Sequence, residues 1–143
     1  MKTCKFLLLA TAILLTVNIC VAQTQVSKID SLKDILAGQL YEMKWSSSLT
    51  TANKILSLDT NAIDVYTARA MSYFNLKDQI KPDFSDKSTK KTRHYLTLVK
   101  LAKADLEKVI ASNSTIILDD AELLQKVKND LDSCKQILKK HQR

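Results

Sequence analysis

Five stretches of the chain place apolar side chains at alternating steps of three and four residues, the spacing that gathers them on one face of an α-helix. The first runs Ile29, Leu32, Leu36, Leu40 and Met43, with Ser27 as its expected N-cap. The second, Trp45, Leu49, Ala52 and Leu56, ends in the polar turn Leu58-Asp59-Thr60-Asn61. A third follows with Ile63, Tyr66, Ala70, Tyr73 and Leu76, and a fourth with Tyr95, Leu98, Ala102, Leu106 and Val109, pausing at Ser112-Asn113-Ser114-Thr115. The last stripe, Leu124, Val127, Leu131, Cys134 and Leu138, is the most regular. Asp119 and Asp120 near its start and Lys139 and Lys140 at its end complement the helix dipole. The whole chain has one glycine and one proline, whereas β-hairpins draw heavily on glycine-containing turns. The expectation is an all-α fold of five helices, with sequential helices as antiparallel neighbours wherever the connection is short. One connection is long: Gln79 to about His94 holds the proline, several Ser, Thr and Asp residues, and five basic side chains against two acidic ones, and it reads as an inserted loop.

One apolar segment has no helical periodicity. Phe6–Val17 is an unbroken apolar and small-residue run, preceded by Lys2 and Lys5 and followed by the more polar Asn18-Ile19-Cys20-Val21-Ala22. That order of positive, apolar and small residues reads as a cleavable secretory signal peptide over residues 1–22, with cleavage after Ala22. A membrane-spanning helix needs about 20 apolar residues, and Asn18 interrupts the run before that length. Lipidation at Cys20 is the minor alternative, since Ile19 stands where a lipoprotein signal places a small residue. Residues 23–28 read as a mobile polar leader and residues 29–143 as one helical domain. The expected location is secreted or periplasmic. Cleavage removes Lys2 and Lys5 and no acidic residue, so the formal charge falls from +7 to +5, which does not by itself argue for nucleic acid. It also removes Cys4 and Cys20. Cys134 alone remains, so no internal disulfide can brace the fold.

The helical stripes carry a faint internal repeat. Gly38 and Tyr41 in the first, and Ala70 and Tyr73 in the third, place a small residue three before a tyrosine, 32 residues apart. A small side chain lets a partner helix approach, and the tyrosine fills the space beside it. Lys54-Ile55-Leu56 and Lys108-Val109-Ile110 occupy similar places near the ends of the second and fourth helices. With the turn Leu58–Ala62, the Tyr66, Ala70 and Tyr73 positions, and Ala102 and Leu106 further on, the chain resembles the tetratricopeptide repeat (TPR) family, whose units are helix-turn-helix pairs of roughly 34 residues. The resemblance covers roughly Ile29 to Asn113 and implies a short array of about two TPR-like hairpins, with the Leu124–Leu138 helix capping the stack. The sequence departs from the family pattern at Thr60, where proline is usual, and by some 20 extra residues, about Gln79 to Leu98, within the second hairpin.

Residues suited to catalysis do not form a recognisable set. His94 and His141 have no second histidine or cysteine at metal-ligand spacing, and both read as solvated surface. Cys134 lies on an apolar stripe, where a cysteine acts as a small buried hydrophobe. Ser46-Ser47-Ser48 fits no nucleophile motif, a single glycine cannot build a phosphate-cradling loop, and Asp119, Asp120, Asp130 and Asp132 have no EF-hand spacing. No enzyme, metal or small-molecule cofactor is expected.

Binding is the remaining class. The TPR resemblance implies a concave face that holds a partner segment, and carries it onto Asp64, Thr67, Met71, Phe74 and Asn75, with Met71 and Phe74 as apolar anchors. Family members that grip a C-terminal carboxylate use lysine, asparagine and arginine there; Thr67 and Met71 argue against that mode. The alternative is an anionic ligand or surface met by the basic loop through Lys81, Lys87, Lys90, Lys91 and Arg93, with Phe84 and Tyr95 interleaved, and this loop is the one place where membrane contact could arise. Its bland counterpart is a solvated insertion. Asn113-Ser114-Thr115 fits a glycosylation acceptor, but the leader reads as bacterial, which discounts it. The expected function is a protein–protein interaction or scaffold module of the cell envelope, with the partner unidentified.

Overall fold

Each of the five periodic stripes lies on a helix, except that Met43 of the first falls in the turn after it. The computed structural model describes residues 23–86, 88–112 and 120–141, so the leader at 1–22 with Cys20, the basic residue Lys87, Asp119 and the Asn113–Thr115 acceptor lie outside the described residues. Helix α1 occupies 23–41, α2 Trp45–Leu58, α3 Ile63–Asp78, α4 Lys90–Ala111 and α5 Ala121–His141. Among the described residues there is no strand, and the fold is all-α.

The helices pack in chain order, α2 on α3, α3 on α4 and α4 on α5. Their shared core is built from small and β-branched side chains, with Ala52, Ile55, Val65, Ala70, Val99, Ala102, Val109, Val127 and Cys134 all essentially inaccessible to solvent. Alanines at 52, 70 and 102 let the helix backbones approach closely. α1 adds Leu32 and Leu36 to this core and meets the start of α3 through an ion pair, Lys33 Nζ to Asp64 Oδ2 at 2.8 Å.

A polar clamp crosses the same core. Arg69 on α3 donates from Nε and Nη2 to the two carboxylate oxygens of Asp105 on α4, at 2.8 and 2.7 Å, and from Nη1 to Asn53 Oδ1 on α2 at 2.7 Å. Asp105 is only 5% exposed, and Arg69 is the partner that compensates it there. One helical turn away, Lys108 Nζ donates to the Tyr66 hydroxyl at 2.5 Å and to the Thr60 carbonyl at 3.2 Å, and the Tyr66 hydroxyl donates to the same carbonyl. These bonds fasten the α2–α3 turn to α4.

Two helix starts differ from expectation. Residues 23–28, read as a mobile leader, are helical and exposed, and Ser27 lies inside α1 rather than at its cap. Nothing in Gln-Thr-Gln-Val-Ser-Lys breaks a helix, and Gln25 Nε2 donates to the Leu58 carbonyl at 3.1 Å, tying this extra length to the end of α2. α4 begins at Lys90, five residues before Tyr95, so the inserted loop ends at Thr89 and not at His94. Thr89 is extended at the cap position and its hydroxyl accepts from Thr92 N at 3.2 Å. Lysines in a first turn oppose the helix dipole and no apolar residue precedes Tyr95, which is why this turn reads as loop from sequence.

The turn after α1 corrects a second expectation. Met43 N donates to Leu40 O at 3.1 Å and Lys44 N to Gln39 O at 2.8 Å, the paired bonds of a Schellman motif, with Met43 at the left-handed position (φ 56°) where glycine is usual. The single glycine, Gly38, is instead inside α1, and a Cβ built there meets nothing within 4 Å. Tyr41 is 90% exposed. The small-residue and tyrosine pair therefore packs in α3, where Ala70 is buried and Tyr73 half-buried, but not in α1. Gly38→Ala should accordingly stabilise the fold by about 1 kcal/mol, through helix propensity alone. Urea denaturation would show this as a raised midpoint with unchanged slope; a lowered midpoint would mean that the glycine is needed for close approach.

Candidate functional site

Two surfaces carry the residues singled out from the sequence, and the structure treats them differently. On α3, the Asp64 carboxylate is engaged by Lys33. Thr67 Oγ1 turns back onto the Ile63 carbonyl at 3.4 Å, and Asn75 Nδ2 donates to the Met71 carbonyl at 2.8 Å. Phe74 packs against the core with the Lys77 ammonium 3.8 Å from its ring centre. Met71 alone presents an apolar side chain outward, at 36% exposure. Of the two expected anchors, only Met71 stands on the open face, because Phe74 points to the side of α3 that carries buried Lys77. Beside this face an open groove of about 290 Å³ runs between the α1–α2 turn and the end of α3, lined by Met43, Lys44, Trp45, Leu76 and Gln79 among others.

The second surface surrounds the start of α4. Lys81, Lys90 and Lys91 converge with Gln79, Ile80 and His94 on an open groove of about 600 Å³. Arg93 is exposed on the same helical turn but does not line the groove. His94, read from sequence as plain surface, and Ile80 join the set because α3 ends and α4 begins side by side. The loop between them is pinned down. Asp83 Oδ1 accepts from Ser85 N at 2.9 Å and Ser85 Oγ at 2.6 Å, and Asp86 Oδ1 accepts from Ser88 N at 2.8 Å and Ser88 Oγ at 2.6 Å. These serine contacts hold both carboxyls below their ordinary range. Thr92, fully buried, donates its hydroxyl to the Asp83 carbonyl at 2.8 Å. Phe84 stacks on His141 with ring centres 4.0 Å apart and meets the Tyr95 ring edge-on at 5.4 Å, so the loop tip joins α4 to the end of α5.

Sequence reading also missed a buried cation. Lys77 is nearly inaccessible, pairs with the neighbouring Asp78 carboxylate, and caps Phe74. Its charge reaches Cys134 and Asp130 on α5. Burial still dominates at Cys134, whose thiol is pushed up to about 11, with Lys77 opposing. A thiol so placed stays protonated and is a packing residue. Among the described residues no three His, Cys, Asp or Glu side chains converge as a metal site, and no helix is long and apolar enough to cross a membrane.

At pH 8 an alkylating reagent should therefore reach Cys134 only as fast as the protein opens, while the unfolded chain reacts at once; peptide mapping by mass spectrometry reads the site directly. Because the folded thiol lies above its ordinary 9.0, its contribution to stability is complete below pH 9 and is lost as pH rises through about 11. Rapid labelling of the native protein at pH 8 would contradict this. No protein-family model matches the chain, and neither a curated protein nor a solved structure does so.

Proposed function

We propose that the protein is an exported interaction module of the cell envelope, which holds a segment of a partner protein across α1 and α3 in the manner of a short TPR-like array. The observation that carries this reading is the division of α3 into two sides. One side is taken up by α2 and α4 through Val65, Ala70 and the Arg69–Asp105 clamp, and the other keeps Met71 in the open beside α1. The packing order is compatible with it: α2, α3 and α4 pack one on the next, with α5 laid on α4 where a capping helix would belong. Export rests on the leader pattern of Lys2, Lys5, Phe6–Val17 and Ala22. The expected occupant is an extended or helical segment that offers an apolar side chain to Met71.

A photo-crosslinking residue in place of Thr67, expressed in the producing cells, should form a discrete adduct with one partner. Met71→Glu should abolish the adduct, while Leu101→Glu, at an equally exposed apolar position on α4, should leave it intact. Both changes are at the surface and should alter stability by about 0.5 kcal/mol or less. Equal losses from the two variants, or no adduct at all, would contradict the reading.

A further inference from the structure

The groove at the start of α4 presents positive charge that no carboxylate among the described residues pairs with. No carboxylate lines it, and among the described residues neither Lys81, Lys90 nor Lys91 has an acidic partner within 4 Å. The two acidic residues of the loop, Asp83 and Asp86, are hydrogen-bonded to their own serines instead. Clustering lysines in the first turn of a helix works against its dipole and against the lysines themselves, so the arrangement is locally unfavourable. Local rules are broken in this way where an external group supplies the missing charge.

Residues next to the groove are tied to both neighbouring helices. The Thr92 hydroxyl holds the Asp83 carbonyl, and Phe84 meets Tyr95 and His141, so these parts of the connection are ordered without a ligand, which lowers the entropic cost of binding. The lining is mainly apolar, as Ile80 and the methylene stems of the lysines allow. About 600 Å³ is the size of an ordinary small-molecule site.

We propose that this groove binds a phosphate ester, with the phosphoryl anion held by Lys81, Lys90 and Lys91 and the ester's organic body lying against Ile80. The chemistry is shared by a soluble phosphate monoester and by a phospholipid headgroup. Hexyl phosphate is the probe for the first and vesicles of phosphatidylcholine with phosphatidylglycerol for the second. Titration of the intact protein with hexyl phosphate should be saturable and at least tenfold tighter than with inorganic phosphate. Lys90→Gln with Lys91→Gln should weaken it tenfold or more, whereas Lys28→Gln with Lys54→Gln, which removes the same charge elsewhere, should leave it within twofold. Ile80→Ser should reduce the preference for hexyl over inorganic phosphate while retaining the latter. Lysine-dependent cosedimentation with the anionic vesicles, but not with phosphatidylcholine alone, assigns the headgroup as the source; binding of hexyl phosphate without vesicle binding assigns a soluble ester. Equal weakening by the two lysine pairs, or no saturable binding of either probe, overturns the proposal.

Discussion

A carboxylate buried between helices has to be compensated where it stands, and Asp105 sets that condition for this fold. It lies on α4 within the α3–α4 contact, and the Arg69 guanidinium meets both of its oxygens in a two-pronged arrangement. The fork fixes the sliding register and the rotation of α3 on α4, since a shift of one residue in either helix breaks both bonds. The third donor to Asn53 brings α2 into the same register. The Asp105 hydrogen bond raises Arg69 above its ordinary value, with desolvation opposing it, so the cation stays charged in its partly buried place. Desolvation makes such a pair no better for stability than apolar packing, but loss of one partner costs about 3–5 kcal/mol. Its contribution is to select one arrangement of three helices.

The open surfaces follow from that arrangement. With Arg69 turned toward α2 and α4, and Lys77 drawn inward over Phe74, the apolar residue left on the outer side of α3 is Met71. α1 then lies alongside through Lys33 and Asp64. At the far end of α3 the chain leaves through Gln79 and Ile80 and returns at Lys90, so the same helix pairing brings Lys81, Lys90 and Lys91 around one groove. The two surfaces are therefore products of one packing decision, and Gln79 at the end of α3 lines the groove beside each of them.

Periodicity was a sufficient guide wherever an element buries a plain apolar stripe. Val127, Leu131, Cys134 and Leu138 on α5 are all buried as their spacing predicts, as are Ala102, Leu106 and Val109 on α4. It was a poor guide where polar groups are buried. Arg69, Asp105, Lys77 and Thr92 look like surface residues in sequence, and only their partners on other elements make burial tolerable. The start of α4 was hidden for the same reason, because its first turn is polar and anchored through Thr89 and Thr92. The Gly38 and Tyr41 pair shows the opposite error: a motif can be present in letters while its packing role is absent. Of the candidate sites, the lysine cluster could be read because its members are close in sequence. His94 and Ile80 could not, since their proximity depends on how α3 and α4 pair.

A double-mutant cycle on Arg69 and Asp105, followed by urea denaturation, tests whether the clamp governs helix register. Arg69→Leu leaves a buried, unpaired carboxylate and should cost about 3–5 kcal/mol. Asp105→Leu should cost less, because the guanidinium can turn toward water. The double variant should recover most of the first loss, giving a coupling of at least about 2 kcal/mol. Single losses below about 0.5 kcal/mol that simply add would show that apolar packing alone sets the helix arrangement, and would contradict the account.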